Sequence, residues 1–320
     1  MNNIPFLLSP AGKDYLWGGE RLKTEYGKQL PLYPLAETWE CSCHPEGPSV
    51  VASGPWKGRS LPEVLAQYPE LLGSHPASGG LPVLVKLIDA SKDLSVQVHP
   101  DDAFAWAHEN QPGKSEMWYV IDALPGAQLV YGFNLDMTPE RVRQGVADGS
   151  LMDDLQFLPV SRGDVFFIPP GTVHAIGAGV LIAEIQQSSN VTYRLYDYGR
   201  RDKDGKCRPL HVEKALQVLN LRRTPPVRRQ QQVFRFQSGG VSRLLCRCRY
   251  FQVEFLKIQG RMQIICGENS FQVCLCTAGQ GVLIGGGTIL CIKAGDCVFL
   301  PAGTGMCRLE GTLEVLMTTC

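Results

Sequence analysis

The chain is predicted to be mostly β, built from two related β units, the first carrying short α-helices. Three observations predict this. Short apolar or alternating runs, punctuated by Gly and Pro, fill most of the 320 residues. Helical signals are few. One pattern occurs twice, as GDVFFIPPGTVHAI at 163–176 and GDCVFLPAGTGMCR at 295–308. A chain of this length suggests two domains, placed here at residues 1–225 and 226–320.

In chain order, the first helix falls at Pro62–Tyr68. In PVLVKLID, Leu84, Lys86 and Ile88 share a strand face, so Lys86 lies at an edge or points into a polar cavity. LSVQVHPDD alternates more sharply: Leu94, Val96 and Val98 take one face, Ser95, Gln97 and His99 the other. A second helix, over Asp101–Glu109, opens with acidic residues after Pro100. Thr138–Ala147 has Thr as N-cap, Pro at the first helical position and Gly149 just beyond. In VLIAEIQQ, Glu184 shares a face with Ile182 and Gln186, as a pocket acid or base or as a buried, paired carboxylate. A last helix spans His211–Asn220. The polar, cationic stretch 221–232 makes a linker, and strands resume at Val241–Leu245, Tyr250–Ile258 and Gln263–Cys266.

The formal net charge is zero, with no long basic block, which argues against nucleic acid or a membrane surface as partner. No apolar run is long enough to span a bilayer, and the opening MNNIPFLLSPAGKDYLWGG lacks the features of a secretory signal. A cytoplasmic monomer or weak dimer is expected. Nine of the twelve cysteines follow residue 240, including the C-x-C pairs Cys246/Cys248 and Cys274/Cys276. That spacing suits neither a strand disulfide nor a zinc pair, so the thiols are expected to be free and packed as small hydrophobes.

The chemistry gathers around a few polar side chains. Gln97 and His99 offer an oxygen and a nitrogen on one strand face, although alone they could be the solvent side of an edge strand. Glu116, in GKSEMWYVID, and His174, beyond the Pro-Pro-Gly reversal, complete a two-nitrogen, two-oxygen donor set. One carboxylate leaves a divalent ion with net positive charge, suited to Lewis-acid work on a hydroxyl or carbonyl, and one zinc ion fits without redox chemistry. GDVFFIPPGTVH resembles the second motif of the cupin fold, which implies an architecture of two cupin-type jelly-roll β-barrels. In the second copy Met306 stands where His174 would be, which predicts a barrel without a metal site. His44, His75, His108 and His211 carry no such pattern and are read as surface or structural residues.

LSVQVHPDD, GKSEMWY, PPGTVHAIGAG and AEIQQSSNVTYRLYDYGR, in this order, resemble the type I phosphomannose isomerases, and most closely their short bacterial branch. The likeness runs from about residue 5 to 215 and includes YLWGGERL and ETWECSCHPEGPSVVASGP. It implies that Gln97, His99, Glu116 and His174 are the metal ligands and that Arg194 is the active-site arginine. It favours Lys86 in a cavity, which leaves Glu184, Lys86 and a metal-bound water as proton-transfer candidates. Lys114, Arg200 and Arg201 become candidates for a sugar phosphate. The implied reaction is the interconversion of mannose 6-phosphate and fructose 6-phosphate through an enediol. An iron-dependent cupin oxygenase and a non-catalytic sugar-binding cupin are the alternatives.

Overall fold

The computed structural model describes residues 3–74, 80–201, 204–226 and 233–320. His75 and residues 227–232 of the expected linker lie outside the described residues. Strands dominate, and the helices at Leu61–Gln67, Asp102–His108, Pro139–Asp148 and Val212–Val218 fall where the sequence signals place them. Ser60 and Glu63 form a reciprocal capping box on the first, and Thr138 caps the third through Arg141 N–H.

The chain packs as two compact units, each assembled from separate segments. One comprises Met1–Lys13, Glu20–Leu87 and Gln230–Cys320; the other comprises Asp14–Gly19 and Ile88–Arg229. The reason is strand pairing. Phe6–Ser9 pairs antiparallel with Cys297–Leu300, with Phe6 opposite Phe299 and their rings stacked at 5.2 Å. Within the first unit, a nine-stranded antiparallel sheet is built on three long strands, Gln252–Cys266, Gln272–Gly285 and Gly305–Thr319. The first of these was expected as two strands broken near Gly260. It is continuous, because Gly260 takes a φ of +110° opposite Gly311, at +131°, and the bend passes without breaking the ladder. Cys266, Cys274, Cys276 and Cys307 are buried in the apolar core here, among residues such as Leu283, Leu309 and Val315. All twelve cysteines are free.

In the second unit, Glu116–Ala123 pairs with Val165–Ile168 on one side and Val180–Gln187 on the other. A separate five-stranded sheet runs Tyr193–Tyr196, Val96–Val98, His174–Ile176, Gln128–Phe133 and Leu155–Pro159. The sheets are open rather than closed rings, so the cupin architecture stands without complete barrels.

The repeat is reproduced almost atom for atom. Ser161 N–H donates to Asp164 Oδ2 at 2.9 Å, and Lys293 N–H donates to Asp296 Oδ2 at 2.9 Å. Thr172 N–H closes its turn on Pro169 O, as Thr304 N–H does on Pro301 O. Gly171 N–H donates to His99 O, and Gly303 N–H to Gly267 O. Register extends the match. His174 lies opposite Gln97 and Met306 opposite Ile265, while Ile168 faces Glu116 and Leu300 faces Gln272. All four expected ligand positions are therefore replaced in the second copy: Ile265, Gly267, Gln272 and Met306 stand for Gln97, His99, Glu116 and His174.

Candidate metal centre

Three strands and one reversal aim the ligands. Gly171 takes a φ of +84°, and a Cβ there would lie 2.8 Å from Val218 O, so the turn before His174 needs glycine. His174 then enters its strand directly opposite Gln97. Lys114 N–H donates to Pro100 O, which brings the GKSE segment beside His99. That segment is braced from behind: Asp102 Oδ1 accepts from Gly113 N–H and from Gln187 Nε2, while Gln187 Oε1 accepts from Ser115 N–H.

His99, Glu116 and His174 are buried, and one ligand atom from each lies within 4.8 Å of the others. The imidazoles are oriented by the backbone. His99 Nδ1 is 2.8 Å from Val191 O, and His174 Nδ1 is 2.8 Å from Thr172 O. A carbonyl only accepts, so each Nδ1 carries the proton and each Nε2 presents a lone pair. Those two nitrogens are 3.1 Å apart, and Glu116 Oε1 is 3.5 Å from one and 3.0 Å from the other. Three acceptors this close repel one another unless they share a cation.

Both Glu116 oxygens are buried and make no directed hydrogen bond, despite short contacts to Lys114 Nζ and His174 Nε2, each at 3.0 Å. Lys114 Nζ, 3.1 Å from His99 Nε2, compensates one side of the cluster. Burial, reinforced by the Lys114 charge, pushes the His99 imidazole down to about 3, so it is neutral near pH 7. Burial alone would raise the Glu116 carboxyl, but Lys114 and His99 outweigh it and hold the group well below the usual carboxylate range. The neutral His99 imidazole beside an ionised carboxylate suits a borderline divalent ion such as zinc. Gln97 joins at the rim. Its Nε2 is 3.5 Å from His174 Nε2, and Ser95 Oγ donates to its Oε1 at 3.4 Å.

Arg194 lies opposite Gln97 in the ladder and donates through Nε to Ser95 Oγ at 3.3 Å and through Nη1 to Pro209 O at 3.0 Å. His211, expected to be surface or structural, accepts from Arg194 N–H through Nδ1 at 3.2 Å. Arg200 is bound to Asp197 and stacks on Tyr198, while the exposed Arg201 donates to Gly205 O. Arg208, which no motif singled out, donates twice to Asp197, at 2.8 and 2.6 Å. Glu184 Oε1 accepts from Trp118 Nε1 at 2.9 Å, and the Trp118 ring meets His174 edge-on at 5.3 Å. Lys86 belongs to the other unit, where its ammonium lies 3.6 Å from Glu37 Oε2 and 5.1 Å from the Trp39 ring centroid.

Fold and site together define a cupin with a buried nitrogen–oxygen ligand cluster. Residues 6–117 match the family model for the type I phosphomannose isomerase catalytic domain, and residues 242–320 match the mannose-6-phosphate isomerase cupin domain. The mannose-6-phosphate isomerase of Streptococcus mutans is 38% identical over 98% of this chain and 97% of its own. The ManA enzyme of Bacillus subtilis is 36% identical over 99% of each. The crystal structure of Bacillus subtilis mannose 6-phosphate isomerase superposes with a TM-score of 0.90 at 32% identity, covering 98% of this chain and 99% of that one. A structure described as zinc-bound mannose 6-phosphate isomerase shares the fold at a TM-score of 0.79 and 16% identity. The chain belongs to the type I phosphomannose isomerase family.

Proposed function

We propose that this chain reversibly converts mannose 6-phosphate to fructose 6-phosphate through an enediol, with one zinc ion held by Gln97, His99, Glu116 and His174. The observation that carries the reading is the convergence of two imidazole lone pairs on a buried carboxylate, a cluster that calls for a shared cation. When bound, zinc supplies Lewis acidity to the sugar oxygens. The protein's own groups divide the remaining tasks. Glu184 is the favoured proton carrier between C2 and C1, because it holds Trp118 against His174. Lys86 is the second candidate, retained on the family resemblance. Arg194 steadies the negative charge that develops on the enediolate oxygen. Lys114, Arg200 and Arg201 are assigned to the phosphate, for which Arg200 would have to exchange its present partner, Asp197.

The test is a coupled assay for fructose 6-phosphate together with elemental analysis. Expected are isomerase turnover and about one zinc per chain, both lost in His99→Ala and His174→Ala. Full turnover in metal-free protein would overturn the zinc assignment. Oxygen uptake with bound iron would replace the isomerase reading by an oxygenase one. The cytoplasm is the proposed compartment; among the described residues no helix is long and apolar enough to cross a membrane.

A further inference from the structure

Arg194 sits on a sheet edge. Tyr193–Tyr196 is the outermost strand of its five-stranded sheet, and its pairing with Val96–Val98 slips between Arg194 and Tyr196. The N–H and C=O of Arg194 turn outward from this ladder, and one residue takes both. His211 N–H donates to Arg194 O at 2.7 Å, and His211 Nδ1 accepts from Arg194 N–H at 3.2 Å. A ring nitrogen thus stands where a neighbouring strand would offer a carbonyl. Pro209 O accepts from Arg194 Nη1 at 3.0 Å, so residues 209–211 hold Arg194 at its amide, its carbonyl and its guanidinium. His211 is also the N-cap of the helix Val212–Val218, but its side chain makes no capping bond there. The ring serves the strand instead. A backbone N–H only donates, so Nδ1 carries no proton while this contact lasts.

We propose that His211 is the positioning residue for Arg194 and a proton sensor for it: a proton on Nδ1 removes the acceptor of the Arg194 N–H and loosens the edge strand. The kinetic consequence rests on the isomerase function and on the role of Arg194 proposed for it; the structural consequence does not.

The groups around the ring fix the direction of the switch. Burial, reinforced by the charges of Arg194 and Lys214, holds the His211 imidazole below its ordinary 6.5, while Glu109 pulls the other way. Glu109 is itself engaged by the Tyr193 hydroxyl and by Lys214 Nζ, each at 2.7 Å, and the Tyr193 ring centroid lies 6.5 Å from that of His211. The imidazole is therefore neutral near pH 7. Because its folded value is depressed, the grip on Arg194 is complete above the unfolded value and is lost as pH falls through the folded one.

The experiment compares the full-length protein, supplied with zinc, with His211→Ala and His211→Asn. Asn Oδ1 can replace Nδ1 as an acceptor and takes up no proton in this range. His211→Ala should lower kcat roughly 10-fold near pH 7 with KM held. His211→Asn should restore most of that loss. With rates scaled to bound zinc at each pH, it should also lack the acid limb that His211 gives the wild type. Amide exchange at Arg194 gives a readout without turnover. Relative to the intrinsic rate, it should quicken about 10-fold in His211→Ala, and in the wild type on acidification, but not in His211→Asn. Unchanged exchange in His211→Ala would overturn the positioning role, and an acid limb that persists in His211→Asn would overturn the sensor. A wild-type protein without isomerase turnover would sink the functional reading alone, and exchange at Arg194 would still decide this one. Melting curves check both variants, and the wild-type exchange profile needs neither.

Discussion

Asp197 accepts from two arginines at once, Arg208 and Arg200, a few residues beyond Arg194. Burial alone would raise its carboxyl, but the two guanidinium groups outweigh that and hold it below the ordinary 3.8. The unfolded chain therefore takes up this proton first as pH falls, so the contribution is present above about pH 4 and lost in acid. Asp197→Asn should lower stability by roughly 1–2 kcal/mol near neutrality. It should also flatten the acid limb of a melting-temperature profile; an unchanged limb would show that other carboxylates dominate it. Arg194 invites a kinetic test. Lysine keeps the charge but loses the planar fork that reaches Ser95 Oγ and Pro209 O together. Arg194→Lys should lower kcat about 10- to 100-fold with little change in KM. A KM effect alone would move Arg194 to substrate binding. At this scale strand alternation made Gln97 and His99 legible, because both lie on one polar face. Lys114, which meets His99 and Glu116, and Arg208 were not legible in these places: loops before and after the strands position them, and loops carry no periodicity.

The turn between the two repeat strands shows how an element can outlast its chemistry. Gly171 and Gly303 both have positive φ, +84° and +75°, but their surroundings differ. A Cβ at Gly171 meets a backbone carbonyl, that of Val218, at 2.8 Å, whereas at Gly303 it meets the side-chain nitrogen of Asn3, which can turn away. Gly171→Ala should therefore cost about 2–3 kcal/mol and lower metal content, and Gly303→Ala about 1 kcal/mol with turnover intact. Denaturant unfolding with elemental analysis checks both; equal costs would mean that Val218 yields. Met306 is 65% exposed and Ile265 67% exposed, so Met306→Leu should leave stability and turnover unchanged. A large loss of turnover with intact folding would show that the second copy takes part in the chemistry. The G-D…P-x-G pattern made the turn legible twice. The replacement of Gln97, His99 and Glu116 was not legible, because pairing register rather than chain spacing aligns Ile265, Gly267 and Gln272 with them.

On the scale of the whole molecule, the unit containing Gln230–Cys320 also contains Met1–Lys13 and Glu20–Leu87. A cut at the apparent linker would divide that unit. Residues 1–225 expressed alone should lose the part of the melting enthalpy that belongs to this unit, since Phe6–Ser9 would lack Cys297–Leu300 and the Lys28 ammonium would lack Gly295 O. A calorimetric enthalpy per residue equal to that of the full chain would show that the N-terminal region is self-sufficient. This interleaving was not legible in the sequence, where composition changes near residue 225 but pairing across the chain leaves no local mark. It bears on how the protein is made. At a synthesis rate of roughly 5–20 residues per second, Phe6 emerges about 15–60 seconds before its ladder partner Phe299 exists. Throughout that interval an apolar strand edge stays open on the ribosome, so the nascent chain's need for a chaperone should be set by the last strands to be translated.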